Sequence, residues 1–288
     1  MNGHRPHPQQ SGDAWDADPT VLRDGVLQGV HALVTGAGTG IGRAVSVRLA
    51  DLGASVTGIG RTSESLEGTQ SLAGLSGRGK FHWICADVRD SVGLRAAIDK
   101  AAEGTGIDLL VNNAGGQFYA AADDISDNGF RSVVDLNLSA VFTATSAAKP
   151  HMATRGGSII NISLSGVDRG SVGLAHSLAA RAGVVAMTKT LALEWAHLGI
   201  RVNCVAPGVV ITEALPENVS TSLRESVVPE SVPAGRATPT DDVAEFVAFL
   251  ATPAARMITG QLLQIDGGAH LGRGLHMLPD WPPLEGQH

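Results

Sequence analysis

Cysteine is scarce in this chain: Cys85 and Cys204 are the two among 288 residues, and both sit in apolar, strand-like runs. That argues against a disulfide framework or a cysteine metal site and predicts two buried free thiols in a reducing compartment. Basic charge is also short. Lys and Arg number 21 against 28 Asp and Glu, a formal net charge of -7, and no basic stripe occurs. Nucleic acid and anionic membranes are therefore not expected as partners. No apolar run reaches membrane-spanning length and the N-terminus is polar, so neither a transmembrane nor a secretory segment is expected and the chain reads as cytoplasmic. The first ~20 residues are rich in Pro, His, Gln and Asp, the composition of a flexible tail. His4 and His7 belong to that composition, and no metal site is expected.

What is present is alternation. Strand-like runs fall at about 30–35, 54–59, 81–86, 108–112, 158–163, 200–205 and 262–265, with helical patterns between them, for example at 92–102, 129–148, 175–195 and 241–250. Strands alternating with helices imply an α/β domain with a mostly parallel, doubly wound sheet. Ligands in such sheets bind beyond the carboxyl ends of the strands.

The first of those ends reads T-G-A-G-T-G-I-G, residues 35–42. An apolar run precedes it and a helical pattern follows. A strand, a glycine turn and a helix in that order bring unpaired N–H groups and the positive end of the helix dipole to the sheet's end, an anion site. Gly36 allows the tight turn, Gly40 lets backbone approach a pyrophosphate, and Gly42 lets the helix close on the strand. Thr35, Gly38, Thr39 and Ile41 complete a dinucleotide-binding turn. The second strand ends in Gly60-Arg61, where a carboxylate would hold an unphosphorylated ribose. Arg61, helped by Thr62, suits a 2′-phosphate and so NADPH; the bland reading is a solvated arginine. Asp87-Val88 follows the third strand, and Asp87 either accepts from an adenine amino group or caps the helix starting near Ser91. Asn113, Ala114 and Gly115 close the fourth strand, small enough for close approach of ribose and nicotinamide.

The glycine turn, Asp87-Val88, N-N-A-G at 112–115 and I-R-V-N-C-V-A-P-G at 200–208 together resemble the short-chain dehydrogenase/reductase family over about residues 25–270. The resemblance implies a single Rossmann-type domain of about seven strands at 21–270, between a tail at 1–20 and another at 271–288, and a homo-oligomer, usually a tetramer. By position it puts Asp87 on adenine, Asn113, Ala114 and Gly115 beside the ribose, and Pro207, Gly208, Val210 and Thr212 around the nicotinamide amide.

One departure matters. Most of the family uses an Asn, a Ser, and a Tyr four residues before a Lys; the Tyr protonates a carbonyl oxygen. Asn137 fits the Asn. The Ser position holds Leu164, the Tyr position Ser177 and the Lys position Arg181, while the one tyrosine, Tyr119, lies far upstream. Arg181 can still bond a ribose and stabilise negative charge. Two readings survive. In one, hydride goes to the β-carbon of an α,β-unsaturated thioester, CoA-linked for preference. Asn137, Ser177 and Arg181 then form the polar pocket, with His176 and Tyr119 as proton relays or, in the bland reading, packing residues. In the other, the chain binds nucleotide without turnover. N-N-A-G-G-Q-F at 112–118, H-S-L-A-A-R-A-G-V at 176–184 and L-A-L-E-W at 191–195 resemble the enoyl-CoA and 2,4-dienoyl-CoA reductase branch of the family, which favours the first reading.

Residues 209–236 form a long segment after the nicotinamide-binding turn, either a substrate lid or a short helical excursion. Ile211, Leu215, Val219 and Leu223 are its candidates to cover an acyl chain, and Arg224 and Arg236 its candidate cations for a CoA. Trp281 is a candidate anchor of the C-terminal tail on a neighbouring subunit.

Overall fold

The computed structural model describes residue 18 and residues 20–152, 154–213 and 215–272. His4, His7, Trp281 and nearly all of both tails lie outside the described residues.

Seven parallel strands form one sheet: β1 His31–Thr35, β2 Ser55–Gly60, β3 Lys80–Cys85, β4 Leu109–Asn112, β5 Gly157–Ile162, β6 Ile200–Pro207 and β7 Leu262–Ile265. Their order is β3-β2-β1-β4-β5-β6-β7, so the direction of winding reverses between β1 and β4. All seven predicted strands are found, with ends shifted by two residues at most.

The sheet is apolar on both faces, and successive residues serve opposite layers. Ala32 and Val34 of β1, Leu109 and Val111 of β4, and Ile160 of β5 pack into a core under α1 (Gly40–Asp51), α2 (Ser63–Ala73) and α9 (Thr240–Ala251). Leu33, Leu110 and Ile159, one residue out of phase, pack under α3 (Ser91–Ala102), α5 (Ala140–Met152) and α6 (Ala175–Trp195). Continuous apolar runs are what such doubly covered strands require. No helix among the described residues is long and apolar enough to cross a membrane.

Two expectations need correction. The helix predicted over 129–148 is two: α4 Asp127–Val134, capped by Ser126 Oγ on Gly129 N, and α5, with a π-helical turn at Asp135–Ser139 between them. Hydrophobic periodicity does not show a single inserted residue, yet such turns re-aim side chains at sites. Second, Cys204 is buried but Cys85 is exposed. Cys85 ends β3, the edge strand, where no further strand covers it. Of the two readings of the 209–236 segment, the structure shows the helical one: the segment contains α7 Glu217–Ser222, a π-helical turn Leu223–Val227 and α8 Val228–Ser231. It is a helical excursion with a small core of its own, Val228 and Val232 against Ala269.

Candidate active site

The carboxyl ends of the strands open onto a cleft of about 930 Å³. Gly36, Gly38, Thr39, Gly40 and Ile41 line it, with Arg61, Thr62, Asp87, Val88, Asn113, Ala114 and Gly115 along one side. Arg181, Tyr119, Pro207, Gly208, Val210 and Thr212 line the other. Five predicted site residues do not reach it: Thr35, Gly42, Asn137, His176 and Ser177 stand behind its wall. A second hollow of about 880 Å³ at the amino ends of the first strands has none of these features.

Thr35 and Gly42 build the wall at the switch point. Thr35 Oγ1 accepts from the N–H groups of Asn113 and Ala114, 3.1 Å each, and Asn113 Nδ2 donates back to the carbonyls of Thr35 and Gly36 at 3.1 and 3.2 Å. The glycine turn is thereby tied to the end of β4. Gly36 has a φ of +67°, and a Cβ on Gly42 would lie 2.1 Å from the Gly36 carbonyl oxygen, so only glycine fits there.

At the N-terminus of α1 no residue of the first turn is acidic, and Thr39 gives no side-chain cap. The anion comes from elsewhere. Glu213 Oε1 accepts from Gly40 N at 3.2 Å and from Arg43 Nη1 at 2.8 Å, while Arg43 Nε and Nη2 donate to the Gly38 carbonyl at 3.0 and 2.6 Å. Partial burial pushes the Glu213 carboxyl up, but the backbone N–H groups and Arg43 outweigh it and hold the group below its ordinary range. A carboxylate thus stands on the helix end where a phosphate would sit.

At the β3 end of the cleft Arg89 grips Asp87 through Nη2 at 2.6 Å and Nε at 3.0 Å, and its hydrogen bonds lower the Asp87 pKa to about 2. Asp90, not Asp87, caps α3, accepting from Val92 and Gly93 N–H. Arg61 is exposed; its carbonyl accepts from Cys85 Sγ at 3.9 Å and its charge helps lower the Asp87 pKa, while its guanidinium makes no hydrogen bond or ion pair among the described residues.

At the other end, the π-helical turn buries Asn137 to 2 % exposure. Both ends of its amide bond one peptide: Oδ1 accepts from Gly116 N at 3.0 Å and Nδ2 donates one of its two N–H groups to Gly116 O at 2.8 Å. Ser177, fully buried, donates to Gln117 Oε1 at 2.6 Å. His176, also fully buried, has no hydrogen-bond partner on either ring nitrogen and packs edge-on against Phe118, centroids 4.2 Å apart. Arg181 Nη1 donates to Ile162 O at 2.9 Å, and desolvation lowers its pKa. A guanidinium nonetheless keeps its proton in proteins. A Cβ on Gly115 would come within 2.8 Å of Asn137 Oδ1 and 2.9 Å of Arg181 Nη2, so glycine there admits both side chains.

Several residues with no assigned role in the sequence reading belong to the site: Gln117, Arg43, Arg89, Glu213 and Arg169. Arg169 lines the cleft and donates to the Ala269 carbonyl, whereas Arg224 and Arg236 are not part of the lining. Of the apolar candidates in the excursion, Leu215 and Leu223 line the cleft and Ile211 and Val219 do not. No cluster of three or more His, Cys, Asp or Glu suited to a metal occurs among the described residues.

Comparison with known proteins places this geometry. Residues 36–270 match a family model described as "Enoyl-(Acyl carrier protein) reductase". A curated relative from Bacillus subtilis strain 168, named 2-dehydro-3-deoxy-D-gluconate 5-dehydrogenase, is 36% identical over 84% of this chain and 95% of its own length. "Probable 2,4-dienoyl-CoA reductase 3 [(3E)-enoyl-CoA-producing]" of Caenorhabditis elegans is 33% identical over 89% of this chain and 86% of its own. The solved structure of a citronellol catabolism dehydrogenase from Pseudomonas aeruginosa PAO1 superposes with a TM-score of 0.77 at 33% identity, covering 88% of this chain and 99% of that one. With the glycine turn, the switch-point cleft and the seven-stranded order all in place, the chain belongs to the short-chain dehydrogenase/reductase family of NAD(P)-dependent oxidoreductases.

Proposed function

We propose that this oxidoreductase uses NADPH to reduce the carbon–carbon double bond of an α,β-unsaturated acyl thioester, CoA-linked for preference. One observation carries the reading: the helix position expected to present a phenol to the cleft holds Ser177, which is fully buried and spends its proton on Gln117. Nothing at that position can protonate a carbonyl oxygen, so a reaction that needs no proton on oxygen fits better. The family model's description and the dienoyl-CoA reductase relative lend support.

The cleft fits NADPH. The carboxylate of Glu213 on Gly40 N supports an anion site at the end of α1, and Arg61, beside Thr62 and with its guanidinium in no hydrogen bond among the described residues, suits a 2′-phosphate. Gly36, Gly38, Thr39, Gly40 and Ile41 would cradle the pyrophosphate. Asn113, Ala114, Gly115 and Arg181 would meet the ribose, and Pro207, Gly208, Val210 and Thr212 the nicotinamide amide. Asp87 and Val88 would flank the adenine, with Arg89 holding the carboxylate. When bound, NADPH supplies the hydride that reaches the β-carbon.

The chain's own residues supply the rest. Arg181 places a fixed positive charge beside Gly115, where negative charge develops on the substrate. Asn137 acts indirectly, by holding the Gly116 peptide, and His176 and Ser177 act from behind the wall. The proton for the α-carbon comes from water, with Tyr119, on the cleft and 55% exposed, as a relay. Leu215 and Leu223 cover the acyl chain, and Arg169, which lines the cleft, serves as the cation for a carrier phosphate. We also propose a homo-tetramer; the exposed Phe130, Phe142 and Leu193 on α4, α5 and α6 supply apolar surface for it.

A second reading follows from Tyr119 lining the cleft: a carbonyl or alcohol oxidoreductase in which that phenol is the proton donor. NADPH consumption on a panel of enoyl-CoA esters, cyclic ones included, against matched ketones separates the two. Turnover of ketones alone, abolished in Tyr119→Phe, overturns the enoyl reading. Tight NADPH binding with no turnover on any acceptor identifies a nucleotide-binding scaffold. Sedimentation at micromolar concentration tests the tetramer.

A further inference from the structure

We propose that Arg181 tells the reduced cofactor from the oxidised one, holding NADPH and repelling NADP+, and so sets the protein to run as a reductase. The inference rests on the cofactor-site reading and not on which acceptor is reduced.

The starting point is a charge without a counter-charge. Arg181 Nη1 donates to the carbonyl of Ile162, the last residue of β5, and Nη2 lies where a Cβ on Gly115, just past β4, would come within 2.9 Å. The side chain lines the cleft and is partly buried, yet Nε is shut off from solvent and has no hydrogen-bond partner. No carboxylate among the described residues pairs with it. Those around the cleft are turned to other groups: Asp87 to Arg89, Glu213 to Gly40 and Arg43, and Asp266 to the N–H groups of Gly268 and His270. The one titratable group that bears on Arg181 is Cys204 on β6, and burial pushes that thiol up to about 12, so it is neutral. Ser177, at the position expected to carry a phenol, has no charge to give. A lysine at this place could shed its proton to escape desolvation, but a guanidinium does not. The positive charge is therefore permanent, desolvated and unbalanced, and charges that form nearby feel it more strongly than they would in water.

The cofactor is the partner whose charge changes in the reaction. Its nicotinamide ring is uncharged in NADPH and a cation in NADP+. With Arg181 at the ribose and Pro207 and Gly208 at the amide, as proposed above, that cation forms in the field of the guanidinium. Hydride carries two electrons and one proton to the β-carbon, leaving the ring positive and the acyl group an enolate. While the enolate lasts, its negative charge offsets the two positive ones. Once the α-carbon has taken its proton, a net uptake of one proton from solvent, the ring and Arg181 face each other as like charges. NADP+ is then held less tightly than NADPH was, and the reverse reaction starts from the weaker complex. The pyrophosphate and the 2′-phosphate are common to both forms, so their contacts cancel in the ratio of the two affinities.

That ratio is the test. Isothermal titration of the free protein with NADPH and with NADP+, no acceptor present, should give a Kd for NADPH about tenfold or more below that for NADP+, a modest difference for like unit charges in one desolvated pocket. Arg181→Met removes the charge and should bring the two values to within about twofold of each other, whatever happens to both together. A residue that merely supports the pocket would weaken both alike and leave the ratio where it was. Arg181→Lys supplies a second readout. Its ratio should fall as pH rises from 7 to 10, because a desolvated lysine loses its proton below its ordinary value, while the wild-type ratio stays flat. Equal affinities in the wild type, or a ratio unmoved in Arg181→Met, overturns the proposal. Wild-type protein that binds neither nucleotide overturns the cofactor-site reading itself, and the proposal with it. A preference for NADH leaves the proposal standing if the NADH to NAD+ ratio responds to Arg181→Met in the same way, and refutes it if that ratio does not.

Discussion

Glu213→Gln tests whether the cofactor's anion site is self-occupied in the free protein. The wild-type carboxylate takes the Gly40 N–H at the end of α1 and pairs with Arg43. A pyrophosphate on the glycine turn must displace it or sit against its charge. The magnitude follows from exposure. The Arg43 and Glu213 side chains are 29% and 51% exposed, so the pair belongs with surface ion pairs, worth roughly 0.2–1 kcal/mol. A charge at a helix N-terminus adds roughly 0.3–1 kcal/mol, also screened at this exposure. Together the contact contributes about 1 kcal/mol to the free form, which is about fivefold in Kd.

The amide removes the charge at nearly constant shape. NADPH titration by fluorescence at pH 7.5 and low salt should show Glu213→Gln binding about fivefold more tightly, and the advantage should shrink as salt rises to a Debye length of about 8 Å. The pH dependence has a definite sign. The Glu213 pKa is lowered from 4.5, so the carboxylate is charged across the neutral range and its hold on Gly40 is lost only as pH falls through that lowered value. The ratio of the two affinities should therefore be flat between pH 6 and 8 and decline only in acid below 4.5. Equal or weaker NADPH binding by the variant at low salt refutes the competition.

Arg61→Ala should weaken NADPH by about tenfold or more and leave NADH unchanged, the loss expected for a charged hydrogen bond of roughly 1.5–3 kcal/mol. Its thermal midpoint should hardly move, because the exposed Arg61 guanidinium makes no hydrogen bond or ion pair among the described residues; equal losses for both nucleotides would remove it from the 2′-phosphate site. Asn137→Ala strands both polar atoms of the Gly116 peptide and should cost about 2–3 kcal/mol in urea unfolding, a normal midpoint contradicting the clamp. Thiol labelling at pH 8 should modify one cysteine in native protein and two in urea. Cys85 is exposed, whereas burial pushes the Cys204 thiol up to about 12, so rapid labelling of both in the native state would contradict the packing.

The fold was legible because its signals are local and redundant. Each strand is an apolar run bounded by turns, and the glycines at 36, 40 and 42 announce a backbone shape that few other residues tolerate. The cofactor half of the cleft was legible for the same reason, since its parts follow directly on strand ends. The other half was harder to read because it is built by side chains meeting across the chain, and residue type does not reveal direction. Asn137 carries the expected identity, yet one extra residue in a helical turn aims it at a peptide and buries it. Ser177 and Gln117 are 60 positions apart, and only their contact shows which of them faces the cleft. Glu213 reaches Gly40 over 173 positions, and no pattern near either one predicts it. The replacement of a tyrosine by Ser177 therefore says more than that an acid is missing. A serine fully buried at that place, its one proton given to Gln117, offers none to the cleft, so a reaction that puts no proton on oxygen suits this wall better than ketone reduction by the usual route.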